Sequence, residues 1–254
     1  MTPAVGLVVP AYRPDVDRLS TYVRALHDAI DLHTVRIELD APREGVPEAL
    51  ASLDAEVHAV PYRRGKGAAV TAGFEALSTD ILAFADADGA TPASSIADVI
   101  APVSEGRVNL AVGSRRHPDA TVASHQTLAR RYLGDGFAWL ARRLLTVDLY
   151  DYQCGAKAID GEAWDEVRKH IYEPGFAWDV ELVAIAGALG HRVQEVPVEW
   201  HDRPGSTVSP VRDSLRLARA LITARHRAKR ISDSRLHAAI AARREESPAL
   251  VDRE

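Results

Sequence analysis

Cysteine is almost absent: Cys154 is the only one in 254 residues. That excludes a disulfide framework and any cysteine-rich zinc site, and it fits a reducing compartment. Lysine is scarce too, with Lys66, Lys157, Lys169 and Lys229 the only four among 31 basic residues. No apolar run approaches the roughly 20 residues that span a bilayer. The opening Met1-Thr-Pro-Ala-Val lacks the basic and long apolar stretches of a secretory leader. A net charge of −5 argues against a general nucleic-acid coat. The ten histidines show no HExxH or similar metal-binding spacing. The expectation is a cytoplasmic protein, soluble or peripheral on the cytoplasmic face of a membrane.

What is present is ordinary for a globular chain: 46% hydrophobic and 26% charged residues. Short apolar runs at Val5–Pro10, Val35–Asp40, Val57–Val60, Ile81–Ala85 and Leu110–Val112 read as strands. Between them, helical spacing predicts Pro14–Ile30, Pro47–Leu53, Lys66–Leu77 and Ser94–Val103. This alternation predicts an α/β fold with a mostly parallel central sheet flanked by helices. Ligands on such sheets sit at the carboxyl ends of the strands, where Asp40, Asp86 and Asp88 fall. The second half reads as helices over Gln126–Leu145, Gly161–His170, Val180–Leu189 and Pro210–Arg230, with one strand at Val193–Trp200. A polar tail follows from Ser232.

The sharpest motif is Phe84-Ala-Asp86-Ala-Asp88-Gly89-Ala-Thr91. An apolar strand delivers two carboxylates at i and i+2, and side chains two apart on a strand share a face. Their repulsion is relieved by a divalent cation, and Mg²⁺ typically takes one or two carboxylates plus substrate phosphates. A plain surface turn, with Asp88 as a cap, is the competing reading. Arg63-Arg-Gly-Lys-Gly-Ala-Ala-Val places Lys66 and two glycines at a helix start, where backbone N–H groups bind anions; a solvated basic turn reads equally well. Arg115, after the strand ending Val112-Gly-Ser, has the fork geometry for a phosphate. Arg130 and Arg131 add charge at the start of the long helix. Asp179, in Phe176-Ala-Trp-Asp-Val-Glu-Leu182, is either a first-turn acid or a pocket acid near an acceptor. Cys154 reads as a small buried hydrophobe. In the last helix, Val208, Val211, Leu215, Ala218 and Leu221–Ile222 form one stripe and Arg212, Arg216 and Arg219 another. That pattern suits an anionic membrane interface or packing on the domain itself.

Taken in order, these motifs resemble the family 2 inverting glycosyltransferases of GT-A fold, and among them the polyprenyl- and dolichyl-phosphate glucosyltransferases and mannosyltransferases. The resemblance runs through Val8-Val-Pro-Ala-Tyr12, Arg64-Gly-Lys-Gly67, Ala85-Asp-Ala-Asp-Gly-Ala-Thr91, Val112-Gly-Ser-Arg115, Asp151-Tyr-Gln-Cys-Gly-Ala-Lys157, Trp178-Asp-Val-Glu-Leu182 and Val196-Pro-Val-Glu-Trp200 with Arg203 and Ser206. It implies a GT-A type nucleotide-diphospho-sugar transferase domain over residues 5–207, an amphipathic helix over 208–230 and a polar tail over 231–254. Pro10, Ala11, Tyr12, Asp40, Lys66, Gly67 and Ala87 would form the donor site. Asp86 and Asp88 would hold Mg²⁺ or Mn²⁺ on the donor diphosphate. Arg115, Arg130, Asp151, Gln153 and Arg203 would serve the acceptor and phosphates, with Asp88, Asp179 and Arg115 as the catalytic set. Two stretches depart from the family pattern: Asp40-Ala-Pro-Arg stands where Asp-Asp-Gly-Ser is usual, and Thr207 stands where a lysine often follows the serine.

The implied reaction is metal-dependent transfer of a hexose from UDP-glucose or GDP-mannose to a polyprenyl (dolichyl) phosphate at a membrane surface, as in protein glycosylation. A glycan hydroxyl is the alternative acceptor, and it would require Asp179 as general base. A non-catalytic nucleotide-sugar-binding module is the other alternative.

Overall fold

The computed structural model describes residues 2–122, 128–201, 210–232 and 248–253, without the side chains of 128–133 and 210–215. Five strands lie in the predicted places: β1 (Val5–Tyr12), β2 (Thr34–Asp40), β3 (Glu56–Val60), β4 (Ile81–Ala85) and β5 (Leu110–Ser114). A two-residue strand β6 (Thr121–Val122) follows. The helices among them are α1 (Val16–Ala29), α2 (Val46–Leu50), α3 (Lys66–Ala76) and α4 (Ala93–Ser104). Then come α5 (Leu128–Leu144), β7 (Ala156–Asp160), α6 (Gly161–Val167), α7 (Trp178–Ala188), β8 (Val193–Pro197), β9 (Glu199–Trp200) and α8 (Pro210–Ile231).

The main sheet has seven strands in the order β3-β2-β1-β4-β7-β5-β8. All neighbours are parallel except β7, which runs antiparallel to both β4 and β5. The parallel order places Tyr12, Asp40 and the residue after Ala85 along one edge. Buried side chains cover both faces, as expected where helices flank a parallel sheet. One core layer packs α1 and α4 on the sheet through Leu19, Leu26, Ile96 and Ile100. The other packs α3, α6, α7 and α8 around Trp178, which is fully buried. Trp178 meets the Phe84 ring edge-on at 5.6 Å, and its indole N–H donates to Thr71 Oγ1 at 3.0 Å. Gly73 lets α3 close on β1: a Cβ there would lie 2.6 Å from Val8.

Four local expectations are corrected. Ala156–Asp160, read above only as part of a motif, is the inserted strand β7. Val193–Trp200 is two strands in two sheets, with β9 pairing to β6. Helix α6 ends at Val167 and continues as a 3₁₀ turn through His170. The tail is not wholly solvated: Ala249 is buried and the Leu250 N–H donates to the Ile171 carbonyl at 2.8 Å. Among the described residues, no helix is long and apolar enough to cross a membrane.

Candidate active site

Strand β4 ends in a tight turn that presents both acids. The Asp88 Oδ1 accepts from the Ala90 N–H at 2.9 Å, and Gly89 takes φ +63°, where glycine carries no Cβ penalty. Tyr22 of α1 backs this turn; its ring lies 3.3 Å from where a Gly89 Cβ would stand, and its hydroxyl donates to the Thr91 carbonyl at 2.7 Å. Burial, then the nearby Asp86 and Asp88 charges, push the Tyr22 phenol far above its ordinary value, so it stays a donor. The Asp86 side chain is 43% exposed and Asp88 is exposed. Behind Asp86 lies Gly155, where a Cβ would fall 1.8 Å from Asp86 Oδ2. The missing side chain is therefore the cradle of this carboxylate.

Lys66 opens α3 directly beside the pair. Its Nζ lies 2.9 Å from Asp86 Oδ1 and 3.1 Å from Asp179 Oδ2. The other Asp179 oxygen takes a bond from Lys157 Nζ at 2.8 Å, and that ammonium also donates to the Cys154 carbonyl at 2.8 Å. The result is a row of alternating charge, Lys157–Asp179–Lys66–Asp86, running from the core to the surface. It rests on the Phe84 ring, with the two ammonium groups 4.9 and 5.7 Å from the centroid. Burial alone would raise the Asp179 carboxyl, but Lys157 and Lys66 hold it below its ordinary value. Burial would likewise lower the Lys66 ammonium, and Asp179 and Asp86 raise it well above the usual lysine range.

Asp40, at the end of β2, is committed to the loop before α3. Its Oδ2 accepts the backbone N–H groups of Arg64 and Gly65 at 2.8 and 2.9 Å, and its Oδ1 accepts Arg64 Nε at 2.8 Å. The sheet edge thus fixes the turn that delivers Lys66. At the end of β1, Pro10 is half-buried, Ala11 is buried and Tyr12 is 43% exposed, with the Arg63 guanidinium 4.3 Å above its ring. Gly67 faces inward, against Trp178 and the Glu173 carbonyl. Ala87 packs against the core.

Beyond β5, Arg115 and Asp151 form a two-pronged pair, Nε to Oδ2 at 2.7 Å and Nη2 to Oδ1 at 3.1 Å. Burial would raise Asp151, yet Arg115 holds it far below the carboxylate range. Burial would lower the Arg115 guanidinium, and Asp151 raises it above its ordinary value. Arg115, Gln153 and Tyr150 help line a cavity of about 40 Å³ beneath α5. Burial pushes the Cys154 thiol up to about 12, the behaviour of an inert core residue. The Arg130 side chain and the whole of Arg203, Ser206 and Thr207 lie outside the described residues.

Two contributors had only faint sequence signals. Lys157 is one of four lysines and sits in a quoted motif, but nothing local shows that it meets Asp179. Glu181, 1% exposed, accepts the Tyr172 and Glu173 N–H groups at 2.8 and 2.7 Å and pairs with Arg227.

The family model described as glycosyl transferase family 2 matches residues 7–154. The chain belongs to that family. It is 30% identical over 226 residues to glycosyltransferase AglD of Haloferax volcanii, covering 83% of this chain and 35% of that protein. It is 30% identical over 173 residues to dolichyl-phosphate beta-glucosyltransferase of Saccharomyces cerevisiae, covering 64% of this chain and 52% of that one. With the Mus musculus enzyme of the same name it shares 27% over 246 residues, 89% and 76% of the two chains. The chain therefore spans about half or less of the first two relatives. Among solved structures, glucosyl-3-phosphoglycerate synthase from Mycobacterium tuberculosis, crystallised with Mn²⁺ and UDP, superposes with a TM-score of 0.65 at 15% identity, covering 87% and 80% of the chains. Mannosyl-3-phosphoglycerate synthase from Rubrobacter xylanophilus gives 0.66 at 18%, covering 97% and 78%. These neighbours establish the GT-A type fold.

Proposed function

We propose that this glycosyltransferase moves glucose from UDP-glucose to a polyprenyl phosphate of the dolichyl type, with inversion, while peripheral on the cytoplasmic face of a membrane. The carrying observation is the state of Asp179. A hydroxyl acceptor must surrender a proton, and Asp179 is a poor recipient: both its oxygens are bonded to ammonium groups, and its carboxyl lies below its ordinary value. A phosphate monoester, with its second pKa near 6, arrives already anionic and needs orientation more than a base. Sugar and nucleotide rest on the names of the relatives: the yeast and mouse proteins are dolichyl-phosphate glucosyltransferases, and a fold neighbour was crystallised with UDP.

In this reading residues 5–207 form the catalytic domain and 208–230 an appended helix. Pro10, Ala11 and Tyr12 border the nucleoside, and Asp40 acts indirectly by setting the Arg64–Lys66 turn. Lys66 holds positive charge beside the departing diphosphate, and Gly67 keeps the turn close to Trp178. Arg115, fixed by Asp151, orients the acceptor phosphate, with Gln153 on the cavity wall. Arg130 and Arg203 add phosphate contacts. The Asp86–Asp88 pair would suit Mg²⁺ or Mn²⁺ as two hard carboxylates, Asp88 exposed and Asp86 half-exposed over the Gly155 cradle, with Lys66 already on Asp86 Oδ1 and sharing the site's charge. Such an ion would neutralise the leaving diphosphate. Asp88→Ala is expected to abolish transfer from labelled UDP-glucose to a short-chain polyprenyl phosphate with Mn²⁺, with GDP-mannose as the donor control. Unchanged turnover in that variant removes the metal reading.

A further inference from the structure

Charge is not spread evenly over this acidic chain. Helices α5 and α8 together hold 11 of its 31 Lys and Arg residues and two of its 36 Asp and Glu, leaving 20 basic against 34 acidic elsewhere. The two helices pack against each other. Among the described side chains, the exposed Arg143, Arg216 and Arg219 accompany large apolar groups on the outward positions. Trp139 of α5 is 53% exposed, with the Arg143 guanidinium 4.8 Å from its ring, and Ile222 of α8 is 61% exposed near the exposed Arg216 and Arg219. Tyr150, exposed just past α5, carries Arg142 at 5.3 Å over its ring. Exposed apolar residues rimmed by cations match the polar–apolar boundary of an anionic bilayer, where each nearby basic side chain adds attraction.

We propose that the outward face of α5 and α8, with Trp139, Arg143, Arg219 and Ile222, docks the protein on an anionic phospholipid surface. The position is meaningful because Phe137 and Ala138, next to Trp139, line the cavity that also holds Arg115 and Gln153. A bilayer against α5 brings lipid headgroups to the mouth of that cavity. This deepens the lipid-phosphate reading and rests on it for the link to catalysis, while the docking itself is tested without turnover.

The test is flotation of the full chain with phosphatidylcholine vesicles, with and without roughly a quarter phosphatidylserine. Binding is expected only to the anionic vesicles, decreasing with salt, with a blue shift in tryptophan emission that Trp139→Phe removes. Arg143→Gln should weaken binding about fivefold, and Trp139→Ser or Ile222→Ser should weaken it further, each with unchanged circular dichroism and unchanged turnover of a soluble short-chain acceptor. Equal binding to neutral vesicles, no binding to either, or binding only to a polyanion such as DNA each overturns the proposal. Vesicle binding without any transfer to lipid phosphate leaves the docking face standing and sinks the acceptor assignment instead.

Discussion

Asp179 is held by two ammonium groups with 1% of its surface exposed, so its charge is essential to both lysines. Removing one member of a buried ion set typically costs 3–5 kcal/mol, because the partners remain buried and uncompensated. Asp179→Asn is therefore expected to destabilise the protein by about 3–5 kcal/mol in urea unfolding. The folded-state carboxyl lies below its ordinary value, so its contribution is complete above about pH 4 and is lost as pH falls through the folded value. The wild type should lose stability below about pH 4 more steeply than the variant. Gly155 is a second single-residue test. Gly155→Ala forces a methyl into the space of Asp86 Oδ2. Displacing a reacting group by about 1 Å costs on the order of 100-fold in rate, so transfer should fall by about that factor with the fold intact by circular dichroism. At this scale the sequence was informative where chemistry was local. Asp86, Asp88 and Lys66 stood out from their turn, whereas Lys157 and Asp179 are partners across a sequence separation of 22 residues.

Between residue and molecule stands the loop 171–175, which shows how elements set the site. Glu181 in the first turn of α7 holds its backbone N–H groups, Arg227 of α8 pairs with Glu181 and covers the Tyr172 ring, and Arg253 donates to the Tyr172 carbonyl at 2.8 Å. The loop in turn presses on the start of α3: the Pro174 carbonyl accepts the Ala68 N–H at 3.0 Å and leaves no room for a Cβ at Gly65. Glu181→Ala removes a buried carboxylate from two half-buried amides and a partly exposed guanidinium, a loss of about 3 kcal/mol. For a domain this size that lowers Tm by roughly 10 °C in a thermal melt. It should also weaken donor binding, since the Lys66 turn loses its brace. None of these tethers follows from helix spacing, which marks Glu181 only as a first-turn acid. Strand β7 was hidden for a related reason. Lys157 interrupts its apolar run, and the residue is tolerated in the core because Asp179 and the Cys154 carbonyl take its ammonium. The break between β8 and β9 at Val198 was masked by the alternation of Val196, Val198 and Trp200, which a period-two pattern reads as one strand.

At the scale of the molecule, the mostly parallel sheet was legible because apolar runs alternate with helical spacing, whereas the order of its strands, with β7 inserted between β4 and β5, was not. Asp40, Asp86 and Arg115 reach one edge from β2, β4 and β5, so on the proposed reading an activated sugar bound there would bridge separate parts of the chain. A ligand that binds only the folded state at about 100 times its Kd adds about 2.7 kcal/mol of stability. In a domain this size that raises Tm by roughly 5–10 °C. UDP-glucose with Mn²⁺ is expected to give a shift of that order, with GDP-mannose giving less. If the paired acids carry the ion, Asp86→Asn and Asp88→Asn should each remove the Mn²⁺-dependent part of the shift while leaving any metal-free nucleotide effect in place. A shift that survives in both variants places the cation elsewhere, and a larger shift with GDP-mannose reverses the donor assignment while leaving the geometry of the acidic turn intact.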